Sequence, residues 1–503
     1  MEAVNAANAP TGKWRQLASP MLSVLHPSML PWCGATNFVM PVPPNGWTVY
    51  GVNRQCVHNE LIALLKRTII PLSPKSEARK LLEPVRRLLP KVRLNPALDH
   101  SELLCLFNKT TRKKYRRMVG SCAMEFSLTH ASKLKAFTKM ERIPIMKRGA
   151  PKAPRLIQTR TPEFHWALAP YTKVLEKHLY SWRVAGRRVI AKGLNLCQRA
   201  ELIVQNMESF DDPVAVSLDA TDWDGHCSGN LLQWEHLFYK TVFRDPLLSL
   251  LLKAQLMNSG RTLCGLKYQV LGSRMSGDMN TALGNCVLAS AIAMRTAMEV
   301  HTEAVDTGRI RILCDGDDTI AFMDRCDLDA FCTAAKRIYS DLGHELRVEG
   351  VATRVQDVEF CQHRPILLSN GRWVMAPNPR KVLQTAFMAT GSYARDLRYY
   401  GTLWDCRARV HAGVPIYQEL FGRLASENPN RLDKVPFFGF ESASPCFPAM
   451  EVTLEQRAMF AEQWDFPLEE QLLWETAEVL FEFDIHMGDP ADWGKLVSPK
   501  HTG

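Results

Sequence analysis

The sequence predicts an α+β protein of more than one subdomain, and three observations carry that prediction. A short apolar, β-branched run, Pro213–Leu218, ends at Asp219 as a buried strand would. Two further short strands, Arg309–Leu313 and Thr319–Phe322, flank an Asp-Gly-Asp-Asp turn and suggest a hairpin. Helical periodicity fills the intervals at Leu231–Lys253, Met279–Met298 and Leu328–Leu342. Strand, helices, hairpin, helix and strand in that order describe an α+β core, an antiparallel sheet packed by helices.

The bulk properties set the limits. A chain of 503 residues is too long for one simple core and divides into two to four subdomains. With 46% hydrophobic and 23% charged residues, it is neither disordered nor fibrous. The net charge of +10 suits a polyanionic partner without specifying one. The 14 cysteines include no Cys-x-x-Cys pair, and Cys326 with Cys332 fits no common zinc spacing, so they read as reduced thiols. Met1–Lys13 has no apolar signal core. The best apolar run, Cys286–Met294, is half the roughly 18 residues a spanning helix needs.

Along the chain, residues 1 to about 45 read as an irregular arm rich in Pro and small residues. Helical periodicity from about 56 to 135 is broken at Pro71, Pro74, Pro84, Pro90 and Pro96. Residues 136–160 read as loop and edge strand, given Pro144, Pro151 and Pro154. After about 365 the pattern is mixed, then mostly helical. No repeat or low-complexity segment is present.

The acidic residues carry the chemistry. Asp219 closes a strand, and Asp315, Asp317 and Asp318 sit at a turn where Gly316 supplies backbone freedom. Carboxylates gathered on strand ends repel one another unless cations bind between them. Two Mg²⁺ ions, with Mn²⁺ as a substitute, would relieve that repulsion and serve nucleotidyl transfer. A lone Gly-Asp-Asp would be a solvated acidic turn. Its company, in order and spacing, argues otherwise.

That company resembles the RNA-dependent RNA polymerases of tombusvirus-like (carmovirus-like) viruses. Leu218–Ser228 (LDATDWDGHCS) is similar to the family's motif A, Arg274–Asn285 (RMSGDMNTALGN) to motif B and Cys314–Asp318 (CDGDD) to motif C. Asp357–Gln362 (DVEFCQ) is similar to the motif E hairpin. Phe137–Glu141 (FTKME) and Lys152–Arg160 (KAPRLIQTR) resemble motif F, and Lys192–Asn195 (KGLN) and Val49–Val52 (VYGV) also look like this family. The matches run from about residue 49 to 381.

The resemblance implies a right-hand polymerase with fingers, palm and thumb. Residues 1–211 would form the N-terminal arm and fingers, and 212–365 the palm with a fingers insertion at about 229–272. Residues 366–503 would form the thumb. It also implies templated RNA synthesis from ribonucleoside triphosphates for a positive-strand viral genome, able to start without a primer. Template and product RNA and ribonucleoside triphosphates would be the partners. A separate viral membrane-anchoring replication protein would hold the enzyme at membrane-associated complexes in the host cytoplasm.

By the same resemblance, Asp219, Asp317 and Asp318 are the catalytic, metal-binding aspartates. Asp224 pairs with Asn285 to read the ribose 2′-OH, with Ser276 and Thr281 at the same site. A site built to hydrogen-bond a hydroxyl rejects the deoxy analogue by leaving buried polar groups unpaired. Gly277 gives flexibility next to the template. Lys139, Lys152, Arg155 and Arg160 line the triphosphate channel, where cations stabilise developing charge, and Glu141 holds one of them. The run Lys109, Arg112, Lys113, Lys114, Arg116 and Arg117, with Tyr115 among them, suits a phosphate-backbone surface or a solvated helix face. Arg347 and His344 are rival general acids for pyrophosphate departure. His226 reads as a packing residue.

Two positions depart from the family pattern. Asp222 stands where a basic residue is usual, and Gly225 where a larger polar residue is usual. Two other functions remain to be weighed. A reverse transcriptase usually shows an aromatic before its two aspartates, and a non-catalytic RNA-binding protein with the same fold would be expected to have lost a metal aspartate.

Overall fold

The computed structural model describes residues 37–39, 50–53, 55–70, 72–120, 127–139, 141–144, 153–387, 396–432, 445–476 and 480–482. Its centre is a four-stranded antiparallel sheet. The strands are β1 (Pro213–Ala220), β2 (Ile310–Asp315), β3 (Asp318–Asp324) and β4 (Leu346–Ala352), in the spatial order β2-β3-β1-β4. Helices α1 (Thr281–Val300) and α2 (Leu328–Asp341) belong to the same unit.

The run at β1 is apolar because the strand is buried on both faces. Val214, Val216 and Leu218 point into a core shared with α1 and α2. Ala215 points the other way, joining Leu313, Ile320 and Phe322 in a second core. That core is closed by the helix Leu196–Met207 and the hairpin His363–Leu367 with Trp373–Pro377. Alternation with period two thus assigns successive residues to opposite layers. Helix α1 is apolar all round, since residues 283 to 294 are buried throughout.

The β2–β3 turn is a two-residue hairpin connection, with Asp315 paired to Asp318. Gly316 has φ +74°, and Asp317 after it does not share the positive φ. Glycine at the first central position is the requirement of a type II′ turn, whose twist matches the strands.

A second four-stranded sheet joins distant parts of the chain, in the order Lys267–Leu271, Met257–Thr262, Leu134–Thr138, Leu156–Thr159. The segment between β1 and α1 therefore reaches back to an earlier sheet. Before it, the single helix expected at Leu231–Lys253 is two helices, Gly229–Phe243 and Pro246–Ala254. Arg244 ends the first in a left-handed conformation, Asp245 caps the second, and Pro246 supplies the fixed φ of a first helical residue. Apolar residues run across the break because both helices pack into the same core.

Residues 1 to 36 lie outside the described residues. Asn37–Val39, part of the expected irregular arm, forms a short strand paired with Leu480–Glu482. The hairpin expected at Asp357–Gln362 follows that block instead, as His363–Leu367 with Trp373–Pro377, and beyond it the helices Leu397–Val410, Tyr417–Glu427, Leu454–Trp464 and Leu468–Thr476 pack through Trp404, Phe421, Phe460 and Trp474. No disulfide is formed by the cysteines among the described residues. No helix among them is long and apolar enough to cross a membrane.

Candidate active site

The carboxylates meet at one end of the central sheet. Thr319 pairs with Leu218, so the next step along the ladder sets Asp318 beside Asp219. On the other side of β1, Asp219 pairs with Arg347. Asp317 and Asp318 reach solvent at the turn, yet the protein around them removes enough water to raise both carboxyls. Asp317 is pushed up to about 7, by burial first and then by the charges of Asp224 and Asp318. Asp318 is raised by burial and by Asp315 and Asp219.

Asp315 is drawn out of the cluster. Lys192 binds one of its oxygens at 3.0 Å and Arg199 binds the other. Its charge is matched within the fold, which corrects its grouping with the exposed pair. Lys192, in the KGLN block, is thereby a structural cation.

The donor set suits a hard cation such as Mg²⁺, which takes carboxylate oxygens and resists dehydration. Among the described residues, no three His, Cys, Asp or Glu side chains enclose a site for an ion. A closed cage is not what Mg²⁺ demands, because it keeps waters and shares substrate phosphate oxygens. The raised carboxyls of Asp317 and Asp318 are the physical mark of unrelieved negative charge there.

Asp224 and Asn285, the pair expected to read the ribose, meet. Asn285 Nδ2 donates to Asp224 Oδ1 at 3.0 Å. Behind it stand two buried residues to which the motifs gave no role. Arg274 Nε donates to Asn285 Oδ1 at 3.1 Å, and the same guanidinium forms an ion pair with Glu235. Glu235 also accepts from the Tyr239 hydroxyl at 2.6 Å and from Asn280 Nδ2 at 3.3 Å. Glu235 is fully buried and Arg274 nearly so. The result is a relay from helix Gly229–Phe243 to Asp224, each group fixing the next. Arg274 lay inside the motif B block, but Glu235 lies in a helix with no motif and left no local signal.

The motif B loop is clasped to the second sheet. Ser276 Oγ donates to the Leu156 carbonyl at 2.5 Å, and the Gly277 N–H donates to the Gln158 carbonyl at 3.1 Å. A Cβ at Gly277 would come within 2.6 Å of that oxygen, so close approach requires glycine here. Thr281 Oγ1 donates to the Met275 carbonyl at 2.7 Å, closing the loop at the start of α1.

Of the expected channel cations, Lys139 and Arg155 both bind Glu141, Lys139 at 2.9 Å. Glu141 therefore holds two cations rather than one. Arg155 also feels the charges of Asp317 and Asp224. Lys152 lies outside the described residues. Arg160 does not line a channel. Its side chain is fully buried, paired with Asp278 at 2.8 Å, and its remaining donors serve Asn258 and the carbonyls of Ser132 and Ala254. A guanidinium so fully occupied has nothing left to offer a triphosphate.

The basic helix Lys109–Gly120 exposes Lys113, Lys114, Arg116 and Arg117. Arg112 is different, because it donates to the carbonyls of Leu104, Cys105 and Phe107 and so caps the preceding helix. That corrects its assignment to template contact. Tyr115 is buried against Phe107 and Trp166, so it offers no face for base stacking.

The two departures from the family pattern have one structural cause. The segment Leu64–Thr68 lies over the loop after Asp219. Arg67 pairs with Asp222 at 2.7 Å, and a Cβ at Gly225 would fall 2.4 Å from the Arg67 carbonyl oxygen. Nearby, His344 is buried and stacked on Trp223 with centroids 4.6 Å apart. Burial lowers its pKa to about 3, so the ring is neutral near pH 7 and has no proton to give as an acid. Arg347 is exposed beside Asp219. His226 Nδ1 donates to the Asp222 carbonyl, 3.1 Å away, within this packed loop.

Residues 63–476 match the family described as viral RNA dependent RNA polymerase. The chain is 34% identical over 316 residues to the RNA-directed RNA polymerase of Pothos latent virus (isolate Pigeonpea/India), covering 61% of this chain and 42% of that protein. It is 32% identical over 323 residues to that of Turnip crinkle virus, covering 61% of this chain and 40% of that protein. With that of Tomato bushy stunt virus (strain Cherry) it shares 28% identity over 465 residues, 86% of this chain and 55% of the relative. The matched region thus spans less than half the length of the first two relatives.

Proposed function

Because the chain belongs to the viral RNA-dependent RNA polymerase family, we propose that it synthesises RNA on an RNA template from ribonucleoside triphosphates, for a positive-strand viral genome. The observation that carries this reading is the 3.0 Å Asn285–Asp224 hydrogen bond, set in the same site as Asp219, Asp317 and Asp318. It couples a ribose-reading pair to a cluster of carboxylates suited to cations.

In this reading Asp219, Asp317 and Asp318 hold two Mg²⁺ ions. When bound, the ions activate the attacking 3′ oxygen and steady the leaving pyrophosphate. Asp224 and Asn285 receive the ribose 2′-OH, while Ser276 and Thr281 shape the loop beside it. Arg155 and Lys139, oriented by Glu141, take the triphosphate. Lys113 and Lys114 contact the template backbone, and Gly277 keeps the template side of the loop thin. Arg347, beside Asp219, faces the departing pyrophosphate as a charge partner.

The central sheet with α1 and α2 serves as palm, residues up to 211 as arm and fingers, and the helices after 365 as thumb. Pairing of Met257–Thr262 with Leu134–Thr138 supports a fingers insertion between β1 and α1. Synthesis starts without a primer. The reaction runs in the host cytoplasm, held at membranes by a separate viral anchoring protein.

The test is purified protein with an RNA template, Mg²⁺ and four ribonucleotides, with Asp317→Ala as control. Absence of templated product from wild type under several initiation conditions would sink the reading. Asn285→Ala should lower the preference for ribo- over deoxynucleotides about tenfold, the worth of one hydrogen bond of roughly 1.4 kcal/mol. Competitive incorporation measures this, and an unchanged ratio removes the role given to the pair. Template affinity should fall steeply with salt, the logarithmic slope changing by about 0.7 for each phosphate contact on single strands. Lys113→Ala with Lys114→Ala should flatten that slope by about 1.4. A slope indifferent to both changes would move the template elsewhere.

A further inference from the structure

The Arg67 side chain links the loop that carries Asp219 and Asp224 to the segment that carries Arg155. Its Nη1 pairs with Asp222 Oδ1 at 2.7 Å, on the loop that carries Asp219 and Asp224. Its Nε donates to the Ala153 carbonyl at 2.7 Å, two residues before Arg155. The guanidinium is a planar fork with donors at fixed angles. Two acceptors bound to Nε and Nη1 are therefore held at a set distance from each other, which a lysine ammonium on a flexible stem cannot impose.

Both anchor points are consistent with a clamp. Asp222 is a non-glycine residue at φ +47°, a conformation that persists only when its surroundings over-determine it. The ion pair does so from one side, and the contact of Gly225 with the Arg67 carbonyl closes the other. The Arg67 side chain is mostly enclosed, at 21% exposure, so its pair is shielded from bulk solvent. The charges of Arg155, Glu141 and Asp224 all act on it, so it lies within electrostatic reach of all three.

We infer that Arg67, acting through Asp222 and the Ala153 carbonyl, is a positioning residue that sets the span between the ribose end and the triphosphate end of the bound ribonucleotide. This rests on the polymerase reading. A nucleotide bridges Asp224 and Arg155, so a change in their separation weakens ribose recognition and triphosphate binding together. Neither end need lose a contact of its own.

The experiment compares Arg67→Lys, Asp222→Asn and the double variant with wild type. Arg67→Lys keeps the charge and removes the fork, and Asp222→Asn keeps the shape and removes the ion pair. Each single variant should raise the ribonucleotide KM on the order of tenfold and lower ribo-over-deoxy preference several-fold, with a smaller change in kcat. The double variant should be no worse than either single, because one bridge is broken once. Unchanged KM and discrimination in an active enzyme, or singles whose effects add, would overturn the inference. A purely structural pair would lower the thermal midpoint and leave the KM and the ribo-to-deoxy ratio alone.

Amide hydrogen exchange in the absence of nucleotide reads the clamp without any activity. Arg67→Lys should speed exchange both at Thr221–Gly225 and at Leu156–Thr159. Unchanged exchange at both overturns the clamp even in a preparation that makes no RNA, whereas a clamp intact by exchange in an inactive wild type would fault the polymerase reading alone.

Discussion

Asp317→Ala should reduce ribonucleotide incorporation on the order of 10³-fold or more while leaving the fold intact. The scale follows from what a bound cation contributes to transition-state charge, several kcal/mol, with each 1.36 kcal/mol worth about tenfold in rate. The fold should survive because Asp317 sits at an exposed turn whose conformation depends on Gly316. Removing it even relieves a carboxyl that burial, Asp224 and Asp318 hold well above its usual range. Single-turnover incorporation at saturating Mg²⁺ and nucleotide, with circular dichroism alongside, checks both halves. A variant within tenfold of wild type would take Asp317 out of the chemistry. Asp315→Asn is the contrasting case. It leaves Lys192 and Arg199 without their counter-charge and should act first on stability.

Glu235→Ala should be the most destabilising single change near the site, at about 3–5 kcal/mol, because it strands the Arg274 charge in the interior. A loss of that size is a large fraction of the 5–15 kcal/mol that holds a typical domain together. Arg274 is almost fully buried, and three other groups, Tyr239, Asn280 and Asn285, depend on the same network. Denaturant midpoints measure the loss. Replacing both partners, Glu235→Leu with Arg274→Met, should cost much less than Glu235→Ala alone, since no charge is then left unpaired. Equal losses in the two cases would mean that packing, not the charge, governs the site. The double variant should still discriminate poorly between ribo- and deoxynucleotides, because Asn285 loses the donor that orients it.

Much of the central unit was legible in the chain. Burial leaves a periodic trace, so β1, the β2–β3 hairpin, α1 and α2 were each found within about three residues of their bounds. Leu231–Lys253 reads as one helix in the sequence because both halves send apolar residues into one core and only Arg244–Pro246 marks the break. The acidic and amide groups of the site were found through motifs, and Asp224 and Asn285, 61 residues apart, do meet.

The cations were less legible. Arg155 and Arg160 lie five residues apart in the same stretch and look alike in sequence. One stands at the site with Glu141, and the other is spent on Asp278, 118 residues away. Arg112 and Lys113 are adjacent, yet one caps a helix and the other is free to face solvent. Asp222, unexplained by any motif, is answered by Arg67 from a segment that precedes every motif except VYGV. The sequence by itself determined the order of the central strands and helices and the family to which the chain belongs. Only the tertiary structure decided which charges are matched inside the protein and which remain to meet substrate. The physical reason is that apolar burial repeats with the geometry of each element, whereas an ion pair depends on a single distance between two side chains and leaves no period to read.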